Sequence, residues 1–315
     1  MLQQFIETAK KYNVPAYAVT VIRDGVSETA RINPANDCND IYSISKNFTA
    51  TAIGMLCDRG VLSVNDSIYD ILSPLYPDMP TAWKDCTVAH VLYQTTGIEH
   101  GFLDIDVEDA RDFGGDWLHY TLFDRAPTVK PGTLYRYSDS NFYLLSRVFA
   151  QAAGEKMMEF MQREFFVPLE FQGQAWAVCP HGHAMGGTGL FIRVPDMAKL
   201  GQLYLQGGVY NGHRYLSEEW CAAATKQYVD FDGVRGYGYS FWKESAYPEE
   251  FHCGGMNGQA IRVYPKKNLV IAWQAHDYND TVGHFFAQAD KFGRADQFGR
   301  VDQFGRADKF GRTSD

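Results

Sequence analysis

Strand-forming segments lie at both ends of this 315-residue chain, and the stretch between them reads as helices and loops. That order limits the fold more than any other feature, because strands far apart in sequence must pair to bury their apolar faces. Ala16–Arg23 and Val26–Ile32 are β-rich runs joined by Asp24-Gly25, a strong hairpin signal. Tyr239–Lys243, Gln259–Tyr264 and Leu269–Trp273 are the late β-rich runs, and Pro265-Lys266-Lys267-Asn268 reads as a turn joining the last two. The expected fold class is α/β of the α+β kind: one sheet built from both chain ends, with a helical subdomain inserted between them. A site in the crevice between two such parts would be ordinary.

Helical periodicity fills in the remainder. Leu2, Phe5, Ile6 and Ala9 share one face, so residues 2–12 should form a helix that packs on something. Ile44–Arg59 carries Ala50, Ala52, Ile53, Leu56 and Cys57 at helical spacing, and Gly60 follows as a stop. Thr87 can cap a short helix through Tyr93, which Thr95-Thr96-Gly97 ends. Asn141–Ala153 is helical with Gly154 behind it, and Ser217 can cap a further helix that starts with Glu218 and Glu219.

Composition excludes several classes. Hydrophobic residues make up 45%, too many for a disordered chain. No apolar run reaches the roughly 18 residues a membrane span needs, and the amphipathic start M-L-Q-Q-F-I-E-T-A-K-K-Y does not read as a signal peptide. The net charge is −9, and no basic patch of the kind a nucleic-acid binder uses is evident outside the tail. Cys38, Cys57, Cys86, Cys179, Cys221 and Cys253 lie far apart with no C-x-x-C pair, which fits buried, reduced thiols in a cytoplasmic protein. No glycine-rich phosphate loop is present, and His181-Gly182-His183 supplies fewer ligands than zinc takes, so neither a cofactor nor a metal is expected. The expected partner is a small-molecule substrate, with no nucleic acid and no membrane.

Three clusters could carry chemistry. Ser43-Ile44-Ser45-Lys46 opens the first long helix of the middle region, and Ser43 and Lys46 lie one turn apart on one face. A serine hydroxyl becomes a good nucleophile only when something accepts its proton. Lysine can do so only when neutral, which at pH 7 needs a pKa drop of about 3 units, or roughly 4 kcal/mol. Burial beside other groups can supply that drop, and the helix N-terminus adds N–H groups and a positive dipole end. Tyr137-Ser138-Asp139 is the second cluster, where cations beside the phenol would make it a base. The third is His252-Cys253-Gly254-Gly255, whose adjacent glycines let a substrate approach the backbone and leave an N–H for an oxyanion. Each cluster alone also has a plain reading: a capping serine with a solvated lysine, a packing tyrosine, a bulge.

Together these residues carry a resemblance. The stretches I-Y-S-I-S-K-N-F-T-A, T-V-A-H-V-L-Y-Q-T-T-G-I, P-G-T-L-Y-R-Y-S-D-S-N-F, G-G-T-G-L-F-I-R-V-P-D and H-C-G-G-M-N-G-Q occur in an order and spacing similar to the serine β-lactamase-related family. That family includes class C β-lactamases, low-molecular-weight penicillin-binding proteins, D-aminopeptidases and esterases, and the resemblance covers about residues 2–288. It implies an antiparallel sheet flanked by helices with an inserted helical subdomain. It implies Ser43 as the acylated nucleophile, Lys46 as the base or proton shuttle beside it, and Tyr137 as the tyrosine that exchanges protons with nucleophile, leaving group and water. His252-Cys253-Gly254 matches the substrate-binding K-T-G or H-x-G position, and the N–H groups of Ser43 and Gly255 match the oxyanion hole.

Two residues depart from the family pattern. Asp139 stands where Asn is usual; an ionised Asp can only accept hydrogen bonds, and beside Lys46 it would favour the ammonium form. It should therefore shift the base role toward Tyr137 and favour substrates that present a donor, such as an amine. His252 stands for the usual lysine, and a neutral imidazole attracts a carboxylate less than an ammonium does. The expected function is a serine hydrolase acting through an acyl-enzyme on a small ester or amide. The alternatives are a β-lactamase or D-Ala peptidase, and a non-catalytic scaffold.

The tail stands apart. Residues 289–312 repeat a hexapeptide four times: A-D-K-F-G-R, A-D-Q-F-G-R, V-D-Q-F-G-R, A-D-K-F-G-R. A helical step of six residues turns roughly 240°, which would scatter the phenylalanines, whereas a strand would align them. A flexible tail is expected first, with a helical extension or a partner-binding or self-assembling β-segment as alternatives. The domain expectation is therefore a catalytic domain over 1–288, its sheet part about 1–42 and 185–288 and its helical part about 43–180, followed by a repeat tail over 289–315.

Overall fold

A computed structural model describes residues 1–34, 36 and 38–294 of the chain. Helix α1 (Leu2–Tyr12) leads into strands β1 (Ala16–Arg23) and β2 (Val26–Arg31). They form the expected hairpin: Arg23 pairs with Val26, and Asp24 and Gly25 both take positive φ, 51° and 80°, as a two-residue primed turn requires. Helix α2 (Ser45–Asp58) follows, then short helices and loops, then α3 (Asp139–Ala153) and α4 (Val194–Leu205). The late strands are β3 (Val229–Asp230), β4 (Arg235–Tyr237), β5 (Trp242–Glu244), β6 (Tyr247–Gly255), β7 (Gln259–Tyr264) and β8 (Leu269–Ala275), and α5 (Gly283–Gly293) closes the described chain.

The eight strands form one antiparallel sheet in the order β2-β1-β8-β7-β6-β5-β4-β3. The pair that joins the two chain ends is β1 with β8, from Ala16 opposite Ala275 to Arg23 opposite Leu269. Period-two alternation sorts the side chains to two cores. Val19 and Val21 of β1 and Ile271 and Trp273 of β8 face α1 and α5, where Phe5 and Phe285 complete one core. Ile22, Val270 and Ala272 point the other way, into the larger core shared with α2, α3 and α4. Full burial of a side chain such as Phe5 contributes about 1.5–3 kcal/mol, so the first core alone holds the outer helices firmly.

The expected architecture is present: an antiparallel sheet flanked by helices, with helical segments inserted between its early and late strands. Several boundaries differ. Helix α3 starts at Asp139, two residues ahead of expectation, because the Ser138 hydroxyl caps it by accepting the Ser140 N–H. The run expected as a strand over Tyr239–Lys243 is broken by Ser240 at φ 67° and becomes β5 from Trp242. His181-Gly182-His183 is a turn with Gly182 at φ 75°. The first hexapeptide copy is continuous with α5, and Arg294 caps it with its N–H to Asp290 O. The expectations for residues 295–315 lie outside the described residues. Among the described residues, no helix is long and apolar enough to cross a membrane.

Candidate active site

The site is built where the start of α2 meets the end of β6. The turn Tyr42–Ile44 precedes α2 and packs against that strand. Ile41 N–H bonds Leu190 O at 3.0 Å, and Ser45 Oγ accepts Leu190 N–H at 3.1 Å. Ser45 is thereby buried and occupied, while Ser43 keeps part of its surface exposed. Of the two serines in S-I-S-K, only Ser43 can meet a substrate. Residues Ser45–Leu56 of α2 are all buried, which fixes the helix that aims it.

Lys46 lies one turn on, with only 1% of its side chain exposed. Its Nζ donates to Ser43 Oγ at 3.1 Å and to Gly187 O at 2.8 Å, and forms an ion pair with Asp139. It also sits 4.7 Å over the ring of Tyr137, whose hydroxyl is in polar contact with both Ser43 and Lys46. Burial alone would push the Lys46 pKa down, but the negative charge of Asp139, helped by Tyr137, outweighs it and holds the amine above its ordinary value. Tyr137 is pushed up by burial, against the pull of the Lys46 charge. The resting site is therefore an ammonium beside a phenol.

Asp139 opens α3, where the helix dipole favours a carboxylate. It is 7% exposed and turned onto Lys46. The first consequence foreseen for it, a charged Lys46, matches this contact; the second, an acceptor offered to a substrate donor, has little exposed surface to work with. Gly187 lies so close that a Cβ there would stand 2.8 Å from the Asp139 Cα. At Gly255 a Cβ would stand 2.3 Å from Ile41 O, so the absent side chain is what lets β6 approach the turn that carries Ser43.

Not every expected residue joins the cluster. His252 pairs with Trp242 in β5 and with Arg262 in β7. Its pKa is lowered to about 3 by burial first and then by the positive charge of Arg262, so it is neutral. Glu244, Arg294 and Arg235 are the further charges that act on it. Cys253 is buried in the core shared with α2, and that burial holds its thiol protonated. Neither side chain supplies the charge that a K-T-G lysine would. Gly254 continues the strand after them, paired with Ala260.

Sequence reasoning missed five contributors. Asp40 accepts the Tyr42 N–H at 2.7 Å; its pKa is raised to about 7, chiefly by burial, with Asp106 and Asp139 adding to it against that hydrogen bond. Tyr42 itself takes a left-handed φ of 48°, directly before Ser43. Asn257, also left-handed at φ 60°, donates from Nδ2 to Tyr42 Oη at 3.2 Å and ties the turn after β6 to the turn that carries Ser43. Trp242 stacks on Tyr137 with ring centres 6.3 Å apart, and Tyr237 meets both edge-on. Asp40, two residues before Tyr42, had a local signal as a side-chain turn former; the other four depend on contacts distant in sequence. The carboxylates of Asp104, Asp106 and Asp139 also lie within 4.8 Å of one another, beside the Lys46 pair, and Asp106 accepts from Thr188 Oγ1 at 2.5 Å.

Known proteins share this framework. A family model described as Beta-lactamase matches residues 2–288. The 6-aminohexanoate-dimer hydrolase of Paenarthrobacter ureafaciens is 22% identical over 265 residues, 75% of this chain and 65% of that protein. The chain thus spans less than two thirds of that relative. The octameric penicillin-binding protein homologue of Pyrococcus abyssi superposes with a TM-score of 0.72 at 20% identity, over 93% of this chain and 77% of the other. EstCE1, a hydrolase with promiscuous acyltransferase activity, superposes at 0.72 with 14% identity, over 93% and 97%. At these identities the two structures share the fold.

Proposed function

The chain belongs to the Beta-lactamase family of serine-hydrolase folds, and from that membership we propose that it is a serine hydrolase working through an acyl-enzyme on a small ester or amide. The observation that carries this reading is the half-exposed Ser43 hydroxyl, 3.1 Å from an amine that is otherwise sealed from water. In the proposed reaction, Ser43 Oγ attacks the substrate carbonyl carbon. Its proton passes to Tyr137 in the fraction of molecules whose phenol has first released its proton to solvent, a phenolate that the adjacent Lys46 ammonium stabilises. The N–H groups of Ser43 and Gly255 hold the oxyanion of the tetrahedral intermediate. Tyr137 gives the proton to the departing alcohol or amine, leaving the acyl group on Ser43. Water then attacks the acyl carbon, Tyr137 again takes the proton, and the acid leaves as the Ser43 hydroxyl is restored.

Lys46 in this scheme is a fixed positive charge and a proton conduit, not the free base. Asp139 binds substrate only indirectly, by keeping that charge in place. His252, Cys253 and Gly254 serve through the strand they build, along whose end the substrate lies. The test is a fluorophosphonate label followed by peptide mapping, with turnover of p-nitrophenyl esters and nitrocefin. The reading expects the label on Ser43 and ester turnover that Ser43→Ala abolishes. Nitrocefin turnover exceeding that of the esters would replace it with a β-lactamase reading. A protein with no turnover of any of these substrates and no label on Ser43 would leave a scaffold, and turnover that Ser43→Ala leaves intact would refute Ser43 as the nucleophile.

A further inference from the structure

The repeated hexapeptide is used once inside the described fold, and that use shows what its residues are for. In the first copy, Ala289–Arg294, Ala289 is fully buried beneath α5. Asp290 accepts from Arg262 Nη2 at 2.7 Å and from Tyr264 Oη at 2.6 Å. Phe292 meets Phe5 at 6.0 Å between ring centres. Gly293 lies against the Tyr264 ring so closely that a Cβ would come within 2.1 Å of it. Arg294 is only 8% exposed; it donates to Glu244 at 2.9 Å and Glu250 at 2.6 Å, and its guanidinium lies 3.5 Å from the centre of the Tyr247 ring. Lys291 is exposed.

The four copies vary as this packing would require. Asp, Phe, Gly and Arg, which make the contacts, are the same in all four. The third position is Lys in the first and fourth copies and Gln in the second and third, and in the first copy it is the exposed one. The first position is Ala except in the third copy, where Val301 would add two methyl groups at a site with no spare surface. Residues 295–312 therefore hold three more segments with the same complement of groups for the same cradle. They begin one residue beyond it, and a chain of this length can span at most roughly 60 Å, enough to reach a neighbouring molecule.

We propose that the cradle formed by Phe5, Glu244, Tyr247, Glu250, Arg262 and Tyr264 is a binding site for the A-D-x-F-G-R hexapeptide, filled in each molecule by its own first copy, and that the later copies dock into the cradles of second copies of this chain. Exchange of an identical element between molecules is a low-cost route to assembly. The resident copy competes at high effective concentration, so association depends on how often it lets go. The second and fourth copies dock best, and the third, carrying Val301, docks worst. This inference concerns the outer face of the sheet and does not depend on Ser43 chemistry.

The test measures self-association of the full chain by sedimentation over a wide concentration range. Asp290→Ala/Arg294→Ala disables the resident copy and leaves the later ones intact; it should strengthen self-association by about tenfold or more, as the fraction of open cradles rises. Adding Phe298→Ser/Phe304→Ser/Phe310→Ser to that protein should return it to monomer. The same triple substitution in the otherwise unaltered chain should leave the melting temperature unchanged and remove any self-association. Arg294→Gln gives a milder opening should the double variant fail to fold. A protein that stays monomeric when its first copy is disabled overturns the proposal. So does association that persists without the three later phenylalanines, since that would be aggregation of a loosened fold.

Discussion

Replacing Asp139 by Asn keeps the shape of the side chain and removes its charge. Two unit charges about 4 Å apart at an effective dielectric constant of about 20 attract by about 4 kcal/mol, and that equals about 3 pKa units for Lys46. Lys46 is held above its ordinary value by Asp139 against a burial that acts the other way. Without the carboxylate, burial dominates and the amine falls below the ordinary lysine value. The sign of the stability effect then reverses. In the unaltered protein the folded state holds the Lys46 proton more tightly than the unfolded state, so this group's contribution is constant at neutral pH and is lost only in strong alkali. In the Asp139→Asn protein the unfolded state holds the proton more tightly, so stability rises with pH from the lowered folded value up to about 10.4. Near neutral pH the substitution should cost up to about 3–5 kcal/mol, the loss typical of removing one partner from a buried pair. Thermal denaturation from pH 6 to 10 should show that deficit shrinking as pH increases. Tyr137 loses the negative charge of Asp139 and, once Lys46 gives up its proton, also the larger stabilising charge of the ammonium, so the alkaline rise of kcat/KM should move to follow the lowered titration of Lys46. A deficit that is flat with pH, together with an unmoved rate profile, would refute the assignment of Asp139 as the group that keeps Lys46 charged.

Asp40 titrates near 7 in the folded protein, above its unfolded value, so the folded state binds its proton more tightly and stability falls as pH rises from about 4 to 7; Asp40→Asn should flatten that part of a melting-temperature profile. Tyr42→Phe removes the hydroxyl that Asn257 holds without changing the backbone, and Asn257→Ala removes the donor. Both should lower kcat by about tenfold to a hundredfold with KM little changed, since a small displacement of a nucleophile has that effect; equal kinetics to the unaltered enzyme would dismiss the tie. Gly187→Ala places a Cβ against the Asp139 backbone; it should cost about 1–3 kcal/mol in a denaturant titration and most of the ester turnover.

The fold was legible where local chemistry was strong. Asp24-Gly25 fixed a hairpin because both residues tolerate positive φ, and Ser217 capped its helix by accepting the Trp220 N–H. The strand β6 was harder to see, since Tyr247–Gly255 mixes Pro, Glu, His and Gly and owes its pairing to Gln259–Tyr264 beside it. The group Ser43, Lys46, Tyr137 and Asp139 could be picked out by spacing and resemblance. What spacing could not reveal was Asp139 closing directly on Lys46, or His252 answering to Arg262, because both depend on how distant segments meet. The first hexapeptide copy was read with the tail, although its Phe docks on Phe5 of α1 and its Arg on the sheet; six-residue periodicity gave no hint of a cradle formed by residues from four other segments.

The pairing of β1 with β8 also sets a timetable. Residue 275 follows residue 23 by 252 positions, so on a ribosome adding roughly 5–20 residues per second the first hairpin emerges tens of seconds before its partner strand exists. Throughout that interval Val19, Val21 and Ile22 have no sheet neighbour on their open side. The hairpin's other strand, Val26–Arg31, is mostly exposed and polar in the finished protein, and a flank of that kind discourages a waiting strand from joining a stranger.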